Sequence, residues 1–235
     1  MMADRDGFFP QTPQNTVKRL PQRGHYDRAT IYPILDAAFV CHVAFVQEGQ
    51  PFIIPTLYAR QDDSMLLHGA TTSRMLRHAE SGGALSIAVT LVDGIVLARS
   101  VFHHSINYRS VVVFGHGRLI DAPDEKAAAL AAFTEKLLPG RWDDARPPHP
   151  NESKATSVIA VEIESASAKI RSGGPGDDEE DLALPVWAGV LPIAPHYGAP
   201  IPDANLAPEI PLPDYLSDYL DRQNQTPQPT GSWTR

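Results

Sequence analysis

Between Phe39 and Ile120 the chain is a rapid succession of short apolar, β-branched runs, and this succession restricts the fold more than any other feature. FVCHVAFV (39–46), the turn EGQ and PFIIPTLYAR (51–60) read as one hairpin, and MLLHG (65–69) follows as a short strand. ALSIAVTLV (84–92) runs into Asp93-Gly94, a strong hairpin signal, and then into IVLARSVFHH. In Ile95–Ile120 two nearly all-apolar strands flank a polar crest, HHSINYR, whose runs suit the middle of a sheet. A last segment, TSVIAVEIESASAKIR (156–171), is long enough to be bent or bulged. About six or seven strands with short connections and few helices point to a closed antiparallel barrel rather than a βαβ fold.

Three helices are expected around these strands. Asp27 caps a segment reaching Ala38, with Pro33 predicting a kink or two short turns. SRMLRHAE (73–80) ends at Gly82-Gly83, and Asp121 to Leu138 opens on Pro123 and stops at Pro139-Gly140. Residues 1–24 read as an arm with little structure of its own, 25–195 as the folded domain, and 196–235 as a proline-rich tail on a surface, a partner subunit's included.

The net charge of −8 argues against nucleic acid or an anionic membrane as partner, yet leaves room for a local cluster of donors around a small anion. The single cysteine, Cys41, allows no internal disulfide, and no apolar run approaches a membrane span; a cytoplasmic location is expected. His103 and His104 point to opposite faces of an extended chain, and no ligand spacing suggests a metal site. No Walker, dinucleotide-glycine or nucleophile-elbow pattern is present.

LHGATTSRM (67–75) places a strand end, a hydroxyl-rich loop and Arg74 at a helix start, the groups a phosphate requires, although a plain Ser/Thr cap beside an exposed arginine has the same pattern. In IPTLYAR, Thr56 and Tyr58 share one strand face with Ile54 and Arg60, which suits either a ligand wall or a half-exposed face. Ala84, Ser86, Ala88 and Thr90 make a strip of small side chains on which a helix or something flat could lie.

In their order, HVAFVQEGQPFIIPTLYAR, LHGATTSRML, VTLVDGIVLARSVFHHSINYRSVVVFGHG, and ATSVIAVEIESASAKIR with PVWAGVLP resemble the FMN-binding split-barrel proteins, and most closely the pyridoxamine 5′-phosphate oxidase-related, nitroimidazole-resistance-type branch. The resemblance implies a mainly β, six-stranded antiparallel split barrel forming a homodimer, with FMN at the subunit interface and flavin hydride or electron transfer to a small-molecule substrate. It implies phosphate contacts from Thr71, Thr72, Ser73 and Arg74, and a flavin ring along Pro55, Thr56, Leu57 and Tyr58. It further implies flavin contacts from His68, Gly69, Asn107, Tyr108, Arg109, Ser110 and Trp187. No second basic cluster accompanies Arg74, which argues against pyridoxamine phosphate oxidation itself. A flavin reservoir or sensor, and a split barrel holding haem or a deazaflavin, are the alternatives.

Overall fold

A computed structural model describes residues 7–225. The strands are β1 (Gly24–His25), β2 (Val40–Gln47), β3 (Gln50–Gln61), β4 (Ser64–Ala70), β5 (Ala84–Leu97), β6 (Ser105–Leu119), β7 (Thr156–Glu162), β8 (Ser165–Arg171) and β9 (Gly189–Pro192). The helices are α1 (Arg28–Ala37), α2 (Arg74–Glu80), α3 (Pro123–Leu137), α4 (Arg141–Asp144), α5 (Pro150–Ala155) and α6 (Asp214–Gln225). The sheet runs β1-β8-β6-β7-β4-β3-β2-β5-β9, and an additional β6–β5 pairing closes six of these strands, β6-β7-β4-β3-β2-β5, into a ring. This is the six-stranded antiparallel split barrel.

Strand alternation explains why so few of these runs show a polar face. Tyr58, Leu67, Ile159 and Val161 point into the barrel core with Cys41, Val43, Ile87, Val89, Val111 and Val113. Their neighbours Ala59, Leu66, Val158 and Ala160 point outward, and Ala129 and Phe133 of α3 cover them. Both faces of β4 and β7 are thus buried, which removes the alternation a one-sided strand would show. At Gly115 the next strand passes so close that a Cβ would stand 1.9 Å from the Glu162 carbonyl oxygen. The Cys41 thiol lies in the core, where burial pushes its pKa up to about 12 and keeps it protonated.

The barrel is split because β3 changes partner part-way. Residues 50–57 pair with β2, and only from Tyr58 onward does β3 pair with β4. One edge of residues 50–57 therefore has no strand neighbour among the described residues. Pro51 and Pro55, which lack an N–H, suit such an edge.

Several expectations need correction. Asp93-Gly94 is not a hairpin turn. Neither residue has a positive φ, as a two-residue hairpin loop would need, and β5 continues through them with a register shift between Val92 and Gly94. The late strand β9 pairs there, Gly94 opposite Pro192, and stabilises the extended form. The chain instead reverses at Ala98–His104, closed by the Ala98 N–H donating to His104 Nδ1 at 3.0 Å. Asn107, Tyr108, Arg109 and Ser110 therefore lie within β6 and not at a crest. Helix α1 is one helix despite Pro33: the Asp27 side chain caps it at Thr30 N–H (2.7 Å), and Ile31, Ile34 and Leu35 anchor it while Pro33 faces solvent. The 156–171 segment divides into β7 and β8.

The arm is also packed where it is described. Phe9 is in the core, and buried Asn15 donates to the Ala166 carbonyl of β8 at 3.2 Å. Among the described residues no helix covers the small-residue strip of β5. Its outer face, with His42 and Val46 of β2 and Ile53 and Pro55 of β3, is left half to fully exposed. Residues 196–225 carry α6, and the remainder of the expected tail, like residues 1–6, lies outside the described residues.

Candidate functional site

A cavity of about 520 Å³ opens beside the split, lined by Gln47 at the end of β2, Thr72, and Arg74, Arg77, His78 and Ser81 on and after α2. β4 delivers the chain here: after Ala70 the loop turns, the Ser73 N–H donating to the Ala70 carbonyl at 2.9 Å, and α2 starts at Arg74. Residues 74, 77 and 78 are related by one helical turn and share a face. Met75, Leu76 and Ala79 fill the opposite face and fix α2 against the barrel.

Each basic side chain is held by an uncharged neighbour. The Arg74 guanidinium carbon sits 4.5 Å from the centroid of the Phe52 ring on the split edge of β3. Arg77 Nε donates to the Thr71 carbonyl at 3.1 Å, which leaves its terminal nitrogens outward. The His78 ring lies 4.9 Å from Phe45, and a Cβ on Gly83 would stand 2.2 Å from its Nε2, so a side chain there would make the ring shift. Among the described residues no carboxylate lines the cavity. The Ser73 hydroxyl makes no cap bond to α2, and Gln47 Oε1 is buried without a hydrogen-bond partner.

Of the residues expected at a ligand, Thr72 and Arg74 line this cavity, and Thr71 and Ser73 flank it in the loop. Pairing places Pro55 and Leu57 opposite His42 and Val40 on the outer face, where Pro55 is exposed and Leu57 is half-buried against the cluster under α3. Thr56 and Tyr58 face inward. Tyr58 is fully buried and its hydroxyl donates to the Leu35 carbonyl, so its side chain belongs to the core. His68 and Gly69 end β4, with the His68 ring 4.2 Å from Phe133 of α3. Burial lowers the His68 pKa, which keeps the ring neutral, and Nδ1 is buried without a partner.

The β6 residues are engaged elsewhere. Arg109 makes a two-bond pair with Asp93, at 2.9 and 2.7 Å, that raises its pKa above the ordinary arginine value. Asn107 is fully buried, accepts from Arg171 and donates to the Gly173 carbonyl at 3.1 Å. Ser110 donates to the Lys169 carbonyl at 3.2 Å, and Tyr108 is half-buried within β6. Trp187 is 66 % exposed and packs its ring over Gly189. Arg109 also lines a second cavity, of about 470 Å³, at the Phe39 end of β2, with Lys136, Tyr197 and Tyr219.

Arg77 and His78, which the sequence reading did not single out, join Arg74 on this cavity. The sequence carried a signal for this, since positions i, i+3 and i+4 of any helix begun at Arg74 fall together. Gln47 had none, because strand pairing alone brings it to α2.

Comparison with known proteins agrees with this architecture. The pyridoxamine 5′-phosphate oxidase family model matches residues 27–170, more than half of the chain. The chain belongs to this family. Among solved structures, the flavocytochrome Anf3 from Azotobacter vinelandii is 38 % identical with a TM-score of 0.83, over 88 % of this chain and 96 % of its own. The FAD and haem binding protein from Mycobacterium smegmatis is 35 % identical with a TM-score of 0.80, over 83 % of this chain and 96 % of its own. A protein assigned to 5-nitroimidazole antibiotic resistance, from Bacteroides thetaiotaomicron, shares the fold at 20 % identity and a TM-score of 0.54, over 63 % of this chain and 86 % of its own. A search of curated proteins finds no match.

Proposed function

We propose that this family member is a flavoprotein that transfers electrons to or from a small molecule and carries haem as a second redox group. The observation that carries the flavin reading is the carboxylate-free cavity of Arg74, Arg77 and His78 beside the unpaired edge of β3. A flavin phosphate is a multiply charged acceptor, and guanidinium groups with hydroxyl-bearing loop residues are its ordinary partners. Thr71, Thr72, Ser73 and Arg74 would hold the phosphate, and Pro55 and Leu57 present the apolar wall along which a ring could lie. Bound flavin supplies the hydride or electron transfer; the chain supplies binding, orientation and exclusion of water.

Support for haem comes from the two relatives above 30 % identity, one a flavocytochrome and the other an FAD and haem binding protein. Both matches extend beyond the barrel, because residues 1–170 are only 72 % of the chain (170 of 235) and the matches cover 88 % and 83 %. A histidine that holds haem iron does so through an unprotonated ring nitrogen. His68 would be the candidate for that role, with a ring kept neutral by burial and an Nδ1 that has no partner among the described residues.

A homodimer is part of the same reading. Val40, Val46, Ile53 and Val92 are each more than 40 % exposed on one face of β2, β3 and β5, and exposed large apolar side chains on one sheet face are the kind of surface a second copy could cover. The test is the visible spectrum of the purified protein, with flavin released by heat and haem assayed as its pyridine complex. Flavin bands together with a Soret band are expected. A colourless protein that takes up neither added flavin nor added haem overturns the proposal.

A further inference from the structure

The second cavity, about 470 Å³ at the Phe39 end of β2, is the electrostatic opposite of the first. Phe39, Leu91, Val92, Pro139, Ile193 and Pro195 give it an apolar wall. Every charged side chain that lines it is already engaged. Asp93 holds Arg109 through two bonds, at 2.9 and 2.7 Å, and Asp36 holds Arg60 at 2.6 Å. Glu135 accepts from the Gly140 and Trp142 N–H groups at 2.8 and 3.0 Å, and Lys136 Nζ donates to the Leu35 and Asp36 carbonyls at the end of α1. The charges of Asp36, Asp93 and Glu135 are thus matched by those of Arg60, Arg109 and Lys136. An ion of either sign placed here would lose its water without gaining a free counter-charge.

A hydroxyl proton is what the cavity still offers. The Tyr197 and Tyr219 hydroxyls line it 3.2 Å apart and have no other partner among the described residues. One donates to the other, which leaves one proton and several lone pairs free. Burial pushes the Tyr219 pKa up to about 12, so its proton is retained at neutral pH. The segment that carries these groups is held as a cover: the Ile193 N–H donates to the Asp93 carbonyl at 3.0 Å, and Asn224 clips Tyr197 to α6 through two bonds of 3.1 Å. Helix α6 has no buried residue, so packing on a core does not account for its place.

We propose that this cavity binds an uncharged aromatic compound bearing a hydroxyl or carbonyl oxygen, its ring against Phe39, Leu91 and Ile193 and its oxygen at the Tyr197–Tyr219 pair. The volume is within the range of pockets that take a small molecule whole. The inference rests on the flavin reading above only for the compound's role as redox partner. Leu57, the last residue of the proposed ring wall, pairs with Val40, beside Phe39, so the cavity begins where that wall ends.

The test is calorimetric titration of the purified full-length protein, with the prosthetic groups it retains, at neutral pH. The probes are naphthol, naphthoate and naphthylmethylammonium, which share one ring system and differ in charge. Naphthol is expected to bind saturably and roughly tenfold or more tightly than either ion. Ile193→Trp places a bulky ring in the cavity from a partly exposed position and should abolish naphthol binding, with flavin content and circular dichroism unchanged. Tyr219→Phe should weaken naphthol about threefold to tenfold, the loss of a neutral hydrogen bond. Asp93→Asn releases Arg109 and should reverse the preference, so that naphthoate binds more tightly than naphthol. No naphthol binding in wild type, naphthoate binding as tightly as naphthol there, or naphthol binding that survives Ile193→Trp overturns the assignment. Should Ile193→Trp fail to fold, an unchanged preference in Asp93→Asn overturns it. A colourless protein that still shows this naphthol binding overturns the flavin reading alone, and a flavin-bearing protein without it overturns this inference alone.

Discussion

The two ends of β2 use arginine in opposite ways. At the Phe39 end and in the strands beyond it, guanidinium groups are occupied by the protein: Arg109 by Asp93, Arg99 by Asp177, and Arg171 by Asn107 and the carbonyls of Gly173 and Gly174. At the Gln47 end, Arg74 and Arg77 face a cavity with no carboxylate. The first set joins β5 and β6 to the loop after β8 and acts as structure. The second has charge to spare, and in an acidic chain that is a reason to look for an anionic ligand. Residue type alone does not separate the two sets; the presence of a partner does.

The largest effect expected on the structural side is from Arg171→Ala. The side chain is buried, and its loss leaves the Asn107 side-chain oxygen and the Gly174 carbonyl without their donor, while the Gly173 carbonyl keeps the one from Asn107. A loss of about 2–4 kcal/mol in denaturant unfolding is expected, with flavin affinity of the folded protein unchanged. A parallel fall in flavin affinity would break the division between the two ends.

Next is Arg74→Ala, the same change at the other end. Flavin binding should weaken by about 1.5–3 kcal/mol, the range for a hydrogen bond to a charged group. Its melting temperature should stay close to wild type, because no protein carboxylate loses a partner.

Much of this fold is legible in the sequence, and the parts that are not have a common cause. The strands are evident because β-branched apolar runs bounded by turn residues reflect local burial. Asp93-Gly94 misleads because the strand that stabilises its extended form, β9, lies almost a hundred residues later. The arm looked unstructured for a similar reason: Asn15 finds its acceptor at Ala166. In the candidate site, Arg74 and its loop form a contiguous motif and could be read directly, as could Arg77 from helical spacing. Arg109 and Asn107 carried equally suggestive chemistry, and only the tertiary structure shows their groups already used.

Smaller effects sharpen the comparison. Asp27→Ala should destabilise by about 1 kcal/mol through loss of the α1 cap. Burial acts to raise the Asp27 pKa, but the hydrogen bonds from Thr30 outweigh it and the net shift is downward from 3.8. The contribution is therefore present above pH 3.8 and is lost as pH falls through the lower folded-state value; Asp27→Ala and wild type should converge in acid unfolding.

His68 has the opposite sense. Burial lowers its pKa from 6.5, so the unfolded chain takes up a proton first as pH falls, and stability declines below pH 6.5 until the folded-state pKa is reached. His68→Gln should remove that part of the pH dependence and, under the haem proposal, should abolish the Soret band while retaining flavin. A retained Soret band removes His68 as the residue that would hold haem.

The measurement that bears most directly on the division between free and occupied arginines is flavin titration of Arg74→Ala and Arg109→Ala side by side, each shown to be folded by circular dichroism. A large loss of affinity in Arg74→Ala with near wild-type affinity in Arg109→Ala is the predicted result. Equal losses in the two variants, or no loss in Arg74→Ala, would contradict it.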